Sequence, residues 1–165
     1  MDDTELLSDK DLAIYAKNLK IPLHGILQKD KFYAIQKLKR GGYVVNLQSS
    51  DIGNGTHWTG LVITKSHAIY FDSFGLPIPT PVLKAIYRTN KQLKVIYSTD
   101  RIQTMDSIRC GWYVLYFLYF FLTLYPQCSQ SKLLLNKHNA IYSLQNKHLN
   151  DKILQKLIKS LFRKN

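Results

Sequence analysis

The stretch CGWYVLYFLYFFLTLY, at positions 110–125, decides the fold of this 165-residue chain. Among the fourteen residues from Trp112 to Tyr125, Thr123 is the only one that is neither apolar nor aromatic. As a helix this run is about 21 Å long, which is shorter than the ~30 Å hydrocarbon core of a bilayer. We therefore predict a buried helix at the centre of a globular core rather than a membrane span.

The segments around this run alternate between helix and strand patterns. Ser8, followed three residues later by an acid, predicts a helix that ends before Pro22, and the basic segment 22–42 is interpreted as a loop-rich connection. Apolar residues on either side of a tight turn predict a β-hairpin from segments 58–64 and 68–72. Further strands are predicted at 43–47 and 93–98, a helix at 81–87, and a C-terminal helix whose apolar face is Leu149, Ile153, Leu154, Leu157, Ile158, Leu161 and Phe162. We expect a single α+β domain over residues 1–165.

Composition excludes several classes of protein. The chain has 23 Lys and Arg against 11 Asp and Glu, a formal net charge of +12, and 45% of its residues are hydrophobic. This apolar content excludes an intrinsically disordered chain. Two cysteines are too few for a disulfide framework, and no Cys and His cluster has zinc-site spacing, so we expect no metal. The acidic start of the sequence lacks the features of a signal peptide, so secretion is not expected.

Cys110 opens the apolar run, and its sulfur is therefore expected at the N-terminus of the buried helix. The unpaired N–H groups and the helix dipole at that end favour a thiolate, and the same N–H groups can hold a developing oxyanion. From this position alone two interpretations stay open, a nucleophile and an inert small residue of the core.

A cysteine nucleophile needs a base, and the base needs an acid that orients it. His57 stands where the first hairpin strand starts, and Asp72 closes the second. Because the strands of a hairpin are antiparallel, these two ends meet, and Asp72 can bond the His57 imidazole. Taken singly, each residue has a plainer interpretation, a surface-loop histidine and a turn-forming acid. The remaining histidines are expected to be solvated: His24, His67, His138 and His148.

Gln103 lies seven residues before Cys110, in the polar approach to the helix. Its amide carries two N–H donors that can point at the oxyanion reached by the Cys110 backbone N–H. Losing one such donor raises a reaction barrier by ~3 kcal/mol. The alternative is an ordinary loop glutamine.

Four motifs together carry a family resemblance: Gly55-Thr56-His57-Trp58, Tyr70-Phe71-Asp72-Ser73-Phe74-Gly75, Gln103, and Cys110-Gly111-Trp112-Tyr113. In this order they resemble the adenain and ubiquitin-like-protein protease clan of cysteine peptidases, over residues 43–125. Within the clan, these motifs are most similar to those of the maturation proteases of adenoviruses, virophages and Polinton-like viruses. The resemblance implies a papain-like cysteine protease fold of the adenain type, with a central buried helix packed on a mixed, mostly antiparallel sheet.

The resemblance also implies a function. It implies an endopeptidase that cleaves capsid or other viral structural precursors during virion maturation, at bonds preceded by glycine or another small residue. Cys110 is then the nucleophile, His57 the general base and acid, Asp72 its orienting partner and Gln103 an oxyanion donor. Trp58 is expected to pack beside the imidazole. We expect such a protein to be a monomer that does not bind membranes and that acts in the virion interior and the host cell.

Two cofactors follow from the resemblance. One is DNA as a stimulating polyanion, for which the C-terminal helix offers Lys152, Lys156, Lys159, Arg163 and Lys164 as phosphate contacts, although these side chains are equally a solvated face. The other is a peptide cofactor joined through a disulfide. No cysteine stands in the strand-to-loop region before Gln103 to receive that peptide, and Cys128 is interpreted as a free structural thiol.

Other functions remain open from the sequence. A processing or deconjugating protease for ubiquitin-like proteins would use the same chemistry and also favour glycine before the cleaved bond. A basic DNA-binding virion protein with a vestigial site belongs to a different class. An acetyltransferase of the same clan is a third alternative.

Overall fold

A five-stranded mixed sheet forms the framework of the protein, in a computed structural model that describes residues 6–51, 57–126 and 129–163. The strands lie side by side in chain order. They are β1 (Leu23–Gln28), β2 (Gly41–Asn46), β3 (Trp58–Ile63), β4 (His67–Phe71) and β5 (Lys94–Tyr97).

Five α-helices accompany the sheet in the described part of the chain. They are α1 (Asp9–Asn18), α2 (Thr80–Thr89), α3 (Cys110–Tyr119), α4 (Ser131–Asn139) and α5 (Lys147–Arg163). The predicted start of α1 is confirmed, because Ser8 and Asp11 form a reciprocal capping box. Helix α3 continues as a π-helical turn, Phe120–Leu124. Helix α4 was not predicted, because its Lys- and Asn-rich sequence conceals the apolar residues that it buries.

The predicted α+β class and the mixed sheet are confirmed. β2–β3 and β3–β4 are antiparallel, whereas β1–β2 and β4–β5 are parallel. Parallel neighbours need a crossover connection, which α2 supplies between β4 and β5 and the 3-10 turn Lys29–Ala34 supplies between β1 and β2. Segment 22–42 is thus not a loop-rich connection, since it contains all of β1. That strand lacks regular alternation and is mostly half-buried, which hid it from pattern analysis.

Helix α3 packs against β3 at the centre of the core, which confirms the buried helix predicted from the apolar run. All of its residues from Cys110 to Leu118 are buried. Gly60 in β3 permits this close approach, since a Cβ atom there would lie 2.8 Å from Cδ1 of Phe117. Within the described ranges, no helix has the length and apolarity needed to cross a bilayer.

His138 in α4 is completely buried, so the expectation that it is solvated is wrong. Its Nδ1 is hydrogen bonded to Asn139 Oδ1 at 3.0 Å, and Nε2 has no hydrogen-bond partner among the described residues. Burial lowers the pKa of His138 to about 4. Six aromatic rings surround it with centroids 5.1 to 6.5 Å away: Phe71, Tyr116, Phe117, Phe120, Phe121 and Tyr142. The charged imidazolium is therefore excluded from the core at neutral pH.

Candidate active site

The β3–β4 hairpin brings His57 and Asp72 together at one edge of the sheet. His57 directly precedes β3 and Asp72 directly follows β4, and the antiparallel register pairs Gly60 with Phe71 just inside that edge. His57 Nε2 lies 2.9 Å from Asp72 Oδ1. Both residues are buried, and Asp72 has no exposed surface. This is the contact that the hairpin geometry predicted.

Asp72 directs its charge at the imidazole. Its Oδ1 also accepts a hydrogen bond from the backbone N–H of Phe74, at 2.7 Å. Its Oδ2 is buried and has no hydrogen-bond partner among the described residues. A buried carboxylate with so few donors is stabilised mainly by a positive partner. The nearest group that can become positive is His57.

Cys110 is the first residue of α3, and its thiol is a hydrogen-bond partner of the His57 ring. Because Nε2 of that ring faces Asp72, Nδ1 is the nitrogen left for the sulfur. Burial on its own lowers the pKa of His57, but the hydrogen bonds and charges of Asp72 and Cys110 outweigh it and raise the pKa to about 9. The imidazole is consequently protonated at neutral pH, between a carboxylate and a sulfur.

The ring that covers the imidazole belongs to Phe74. Its centroid lies 4.5 Å from that of His57, with 27° between the planes, so the two rings are stacked. The indole N–H of Trp58, the residue after His57, donates to the Leu7 carbonyl oxygen at 2.8 Å. Phe74 was part of the motif that carried the resemblance, and the tight turn after Asp72 was the signal that could have placed it here.

Gln103 is completely buried and hydrogen bonded at both ends of its amide. Ser73 Oγ donates to its Oε1 at 2.5 Å. Its Nε2 donates to the Ser107 carbonyl oxygen at 2.7 Å and lies 3.2 Å from Ser107 Oγ. The structure therefore joins Gln103 to the residue after Asp72, while both contacts of its donor nitrogen go to Ser107.

Two residues next to these were missed from the sequence. Ser107 lies three residues before Cys110, and its hydroxyl donates to Asp151 Oδ1 in α5 at 3.1 Å. Neither residue belongs to a motif, and forty-four positions separate them. No pattern in the sequence predicts a contact between Ser107 and Asp151.

The basic residues of α5 predicted to contact phosphate extend from Lys152 to the C-terminal end of the helix. Lys156, Lys159 and Arg163, together with Ser160, line a surface cavity of about 420 Å³. Asp151, which contacts the loop before Cys110, is twelve residues from Arg163, or about 18 Å along the helix. Lys152 is exposed on the same helix. Lys164 and Cys128 lie outside the described residues.

The described residues contain no group of three or more His, Cys, Asp or Glu side chains arranged to hold a metal ion. No protein-family model matches the chain, and a search of curated proteins found no relative.

Solved structures do match. The chain is similar to the ASFV pS273R protease, at a TM-score of 0.50 and 17% identity, over 84% of this chain and 69% of that one. It also matches the SUMO protease Ulp1 whose catalytic cysteine is oxidised to a sulfinic acid, at a TM-score of 0.46 and 16% identity, over 93% of this chain and 80% of that one. The first of these likenesses establishes the fold. The chain has the α+β fold of that protease, as expected from the resemblance that its sequence motifs carry.

Proposed function

We propose that this protein is a cysteine endopeptidase. The single observation that carries the proposal is the position of His57, with one ring nitrogen 2.9 Å from Asp72 and the thiol of Cys110 as its other partner. A base held between an orienting acid and a nucleophile is the arrangement that nucleophilic acyl transfer requires. The raised pKa of His57 favours its imidazolium, which places a positive charge beside the sulfur and a proton within reach of a leaving amine.

The reaction divides between Cys110 and His57. The thiolate attacks the carbonyl carbon of the scissile bond, an S–C bond forms, and the carbonyl oxygen becomes an oxyanion. As the oxyanion collapses, the C–N bond breaks and the His57 imidazolium gives its proton to the leaving amine. Water then attacks the thioester while His57 takes a proton from it, and the acid product leaves as the thiolate is regenerated.

The oxyanion is assigned to two donors. As the first residue of α3, Cys110 has a backbone N–H without a partner inside the helix. Gln103 is the second donor, through the Nε2 amide that Ser107 holds until a substrate oxygen enters.

We propose viral structural precursors, cleaved after glycine or another small residue during virion maturation, as the substrates. The motifs around His57, Asp72 and Cys110 support this class, because they resemble the maturation proteases most closely. The likeness to a viral protease in fold is consistent with it. A processing protease for ubiquitin-like proteins is the competing proposal.

The basic face of α5 supports a second role, weak and sequence-independent binding of DNA as a stimulating polyanion. Lys156, Lys159 and Arg163 converge on one surface cavity, and Lys152 extends the same basic helix. Each neutralised phosphate releases counterions, so the affinity for duplex DNA should fall steeply between ~50 and ~200 mM salt. No binding at the lower salt concentration would contradict this role.

Cleavage assays test the main proposal. The protein is incubated with a capsid precursor and, separately, with a ubiquitin-like protein fused through its C-terminal glycine to a second domain. We expect the wild type to cleave the precursor and the Cys110→Ala variant to cleave neither substrate. Cleavage of the fusion alone would favour the competing proposal. Cleavage by the variant, or by neither protein, would contradict the proposal of a cysteine endopeptidase. A basic virion protein with a vestigial site would then be the remaining alternative.

A further inference from the structure

The C-terminal helix holds the loop that leads to Cys110 at two points. Asn150, which is completely buried in α5, donates from Nδ2 to the carbonyl oxygen of Ile102 at 2.8 Å. Its neighbour Asp151 accepts the Ser107 hydroxyl. Gln103 lies between these two points of attachment. Helix α5 therefore holds the proposed oxyanion donor from both sides along the chain.

Asp151 joins the loop to the helix that carries Cys110. Its Oδ1 accepts from Ser107 Oγ at 3.1 Å and from the Tyr113 hydroxyl at 2.9 Å. Its Oδ2 lies 3.5 Å from Nε of Arg109, the residue before Cys110. One carboxylate thus contacts the loop, the cap of α3 and the first turn of α3.

The Ser107 hydroxyl is the centre of this arrangement. A hydroxyl has one hydrogen to donate and two lone pairs to accept with. Since its hydrogen is directed to Asp151, its lone pairs face Gln103 Nε2 at 3.2 Å and the Arg109 backbone N–H at 3.4 Å. Asp151 therefore orients the hydroxyl that contacts both the Gln103 amide and the start of α3.

We propose that Asp151 is a positioning residue for the acyl-transfer step, acting through Ser107 on Gln103. This inference rests on the proposed function, because it assigns Asp151 to the oxyanion step of the same site. Without Asp151 the Ser107 hydroxyl is free to turn its hydrogen toward other acceptors. The Gln103 amide then keeps its bonds to Ser73 Oγ and to the Ser107 carbonyl oxygen, and loses the fixed lone pair at Ser107 Oγ. Small displacements of an oxyanion donor are costly, because its benefit depends on preorganised geometry.

Two reactions of Cys110 separate this role from a merely structural one. Acylation by N-benzyloxycarbonyl-glycine p-nitrophenyl ester proceeds through an oxyanion: the sulfur bonds to the carbonyl carbon, and collapse expels p-nitrophenolate. Alkylation by iodoacetamide has no oxyanion, because the sulfur displaces iodide from a saturated carbon. Both rates are measured at pH 7, the first from the release of nitrophenolate and the second from the mass of the alkylated peptide that contains Cys110.

We expect Asp151→Ala to acylate about tenfold more slowly than the wild type while its alkylation rate stays within about twofold. Asp151→Asn keeps an acceptor oxygen for Ser107 and should acylate within about threefold of the wild type. Ser107→Ala should match Asp151→Ala, and the double variant should be no slower than either single one, since the two residues act as one unit. Tyr113→Phe is the matched control, because it removes the other hydrogen bond to the same oxygen and leaves the Ser107 contact in place.

Unchanged acylation in Asp151→Ala would overturn the inference alone, provided that the wild type acylates normally. Equal losses of acylation and alkylation would also overturn it, because they would indicate a general loss of structure around Cys110. A wild type that is neither acylated nor alkylated would overturn the inference and the proposed function together.

Discussion

The burial of His138 predicts that the protein loses stability between pH 6.5 and pH 4. In the unfolded chain this histidine has its ordinary pKa of 6.5, whereas in the folded protein burial lowers the pKa to about 4. Between these values the unfolded chain binds a proton that the folded protein excludes. The contribution of His138 to stability is therefore complete above pH 6.5 and is lost as the pH falls toward 4.

The size of this loss follows from the pKa difference. Each pKa unit corresponds to 1.36 kcal/mol, so a fall from 6.5 to about 4 is worth roughly 3 kcal/mol in the free energy of unfolding. His57 does not contribute in this window, because its folded pKa of about 9 keeps it protonated in both states below pH 6.5. Carboxyl groups do titrate here, and a variant is needed to subtract them.

His138→Phe is that variant, because phenylalanine is an aromatic side chain of similar size that can occupy the space between the rings and does not titrate. Urea unfolding of both proteins at several pH values from 4 to 6.5 gives the free energy of unfolding at each. The wild type should lose roughly 3 kcal/mol more than His138→Phe across this range, whatever the stability of the variant at pH 6.5. Parallel pH profiles for the two proteins would refute the reasoning, because they would show that the folded protein accommodates the proton as readily as the unfolded chain.

Four other predictions concern the site and the core. His57→Ala should slow alkylation of Cys110 by iodoacetamide at pH 7 at least tenfold, and mass spectrometry that finds equal rates would exclude activation of Cys110 by His57. The free energy of unfolding should also fall as the pH rises from 6.5 through 9, because the interactions that raise the pKa of His57 stabilise the fold only while the imidazole is protonated. Urea titrations in which His57→Ala shows the same decline would contradict this. Phe74→Ala removes the ring stacked on His57 and should lower kcat about two- to tenfold, the equivalent of ~0.5–1.5 kcal/mol, which steady-state kinetics on the glycine ester measures. Gly60→Ala should destabilise the protein by about 1–3 kcal/mol in urea unfolding, because the alanine methyl group would clash with Phe117. An unchanged unfolding midpoint would show that α3 can shift away from β3 at little cost.

Much of the site was accessible from the sequence because its members stand at the ends of strongly patterned elements. The apolar run after Cys110 has the composition of a buried helix, so the cysteine could be placed at the N-terminus of that helix. The hairpin has a short turn, so its far ends had to meet, and His57 and Asp72 occupy those ends. These are local inferences in which side-chain period and turn length determine geometry.

Features that depend on contacts between distant segments were decided only by the tertiary structure. β1 became a strand because β2 offered it a partner, although its own pattern is weak. His138 was placed in the core by rings from β4, α3, the π-helical turn and the segment after α4, and nothing in its neighbours along the chain indicates burial.

The sequence by itself determined the central helix, the hairpin and the three side chains that the hairpin and helix bring together, since each depends on a pattern within a few residues. The environment of those side chains was decided only by the fold. Asp151 contacts Ser107 although forty-four positions separate them in the sequence, and Phe74 stacks on His57. A polar residue carries no mark of the partner it will meet. Its hydrogen bonds are specific only once the packing of apolar surfaces has set the distances between the backbones.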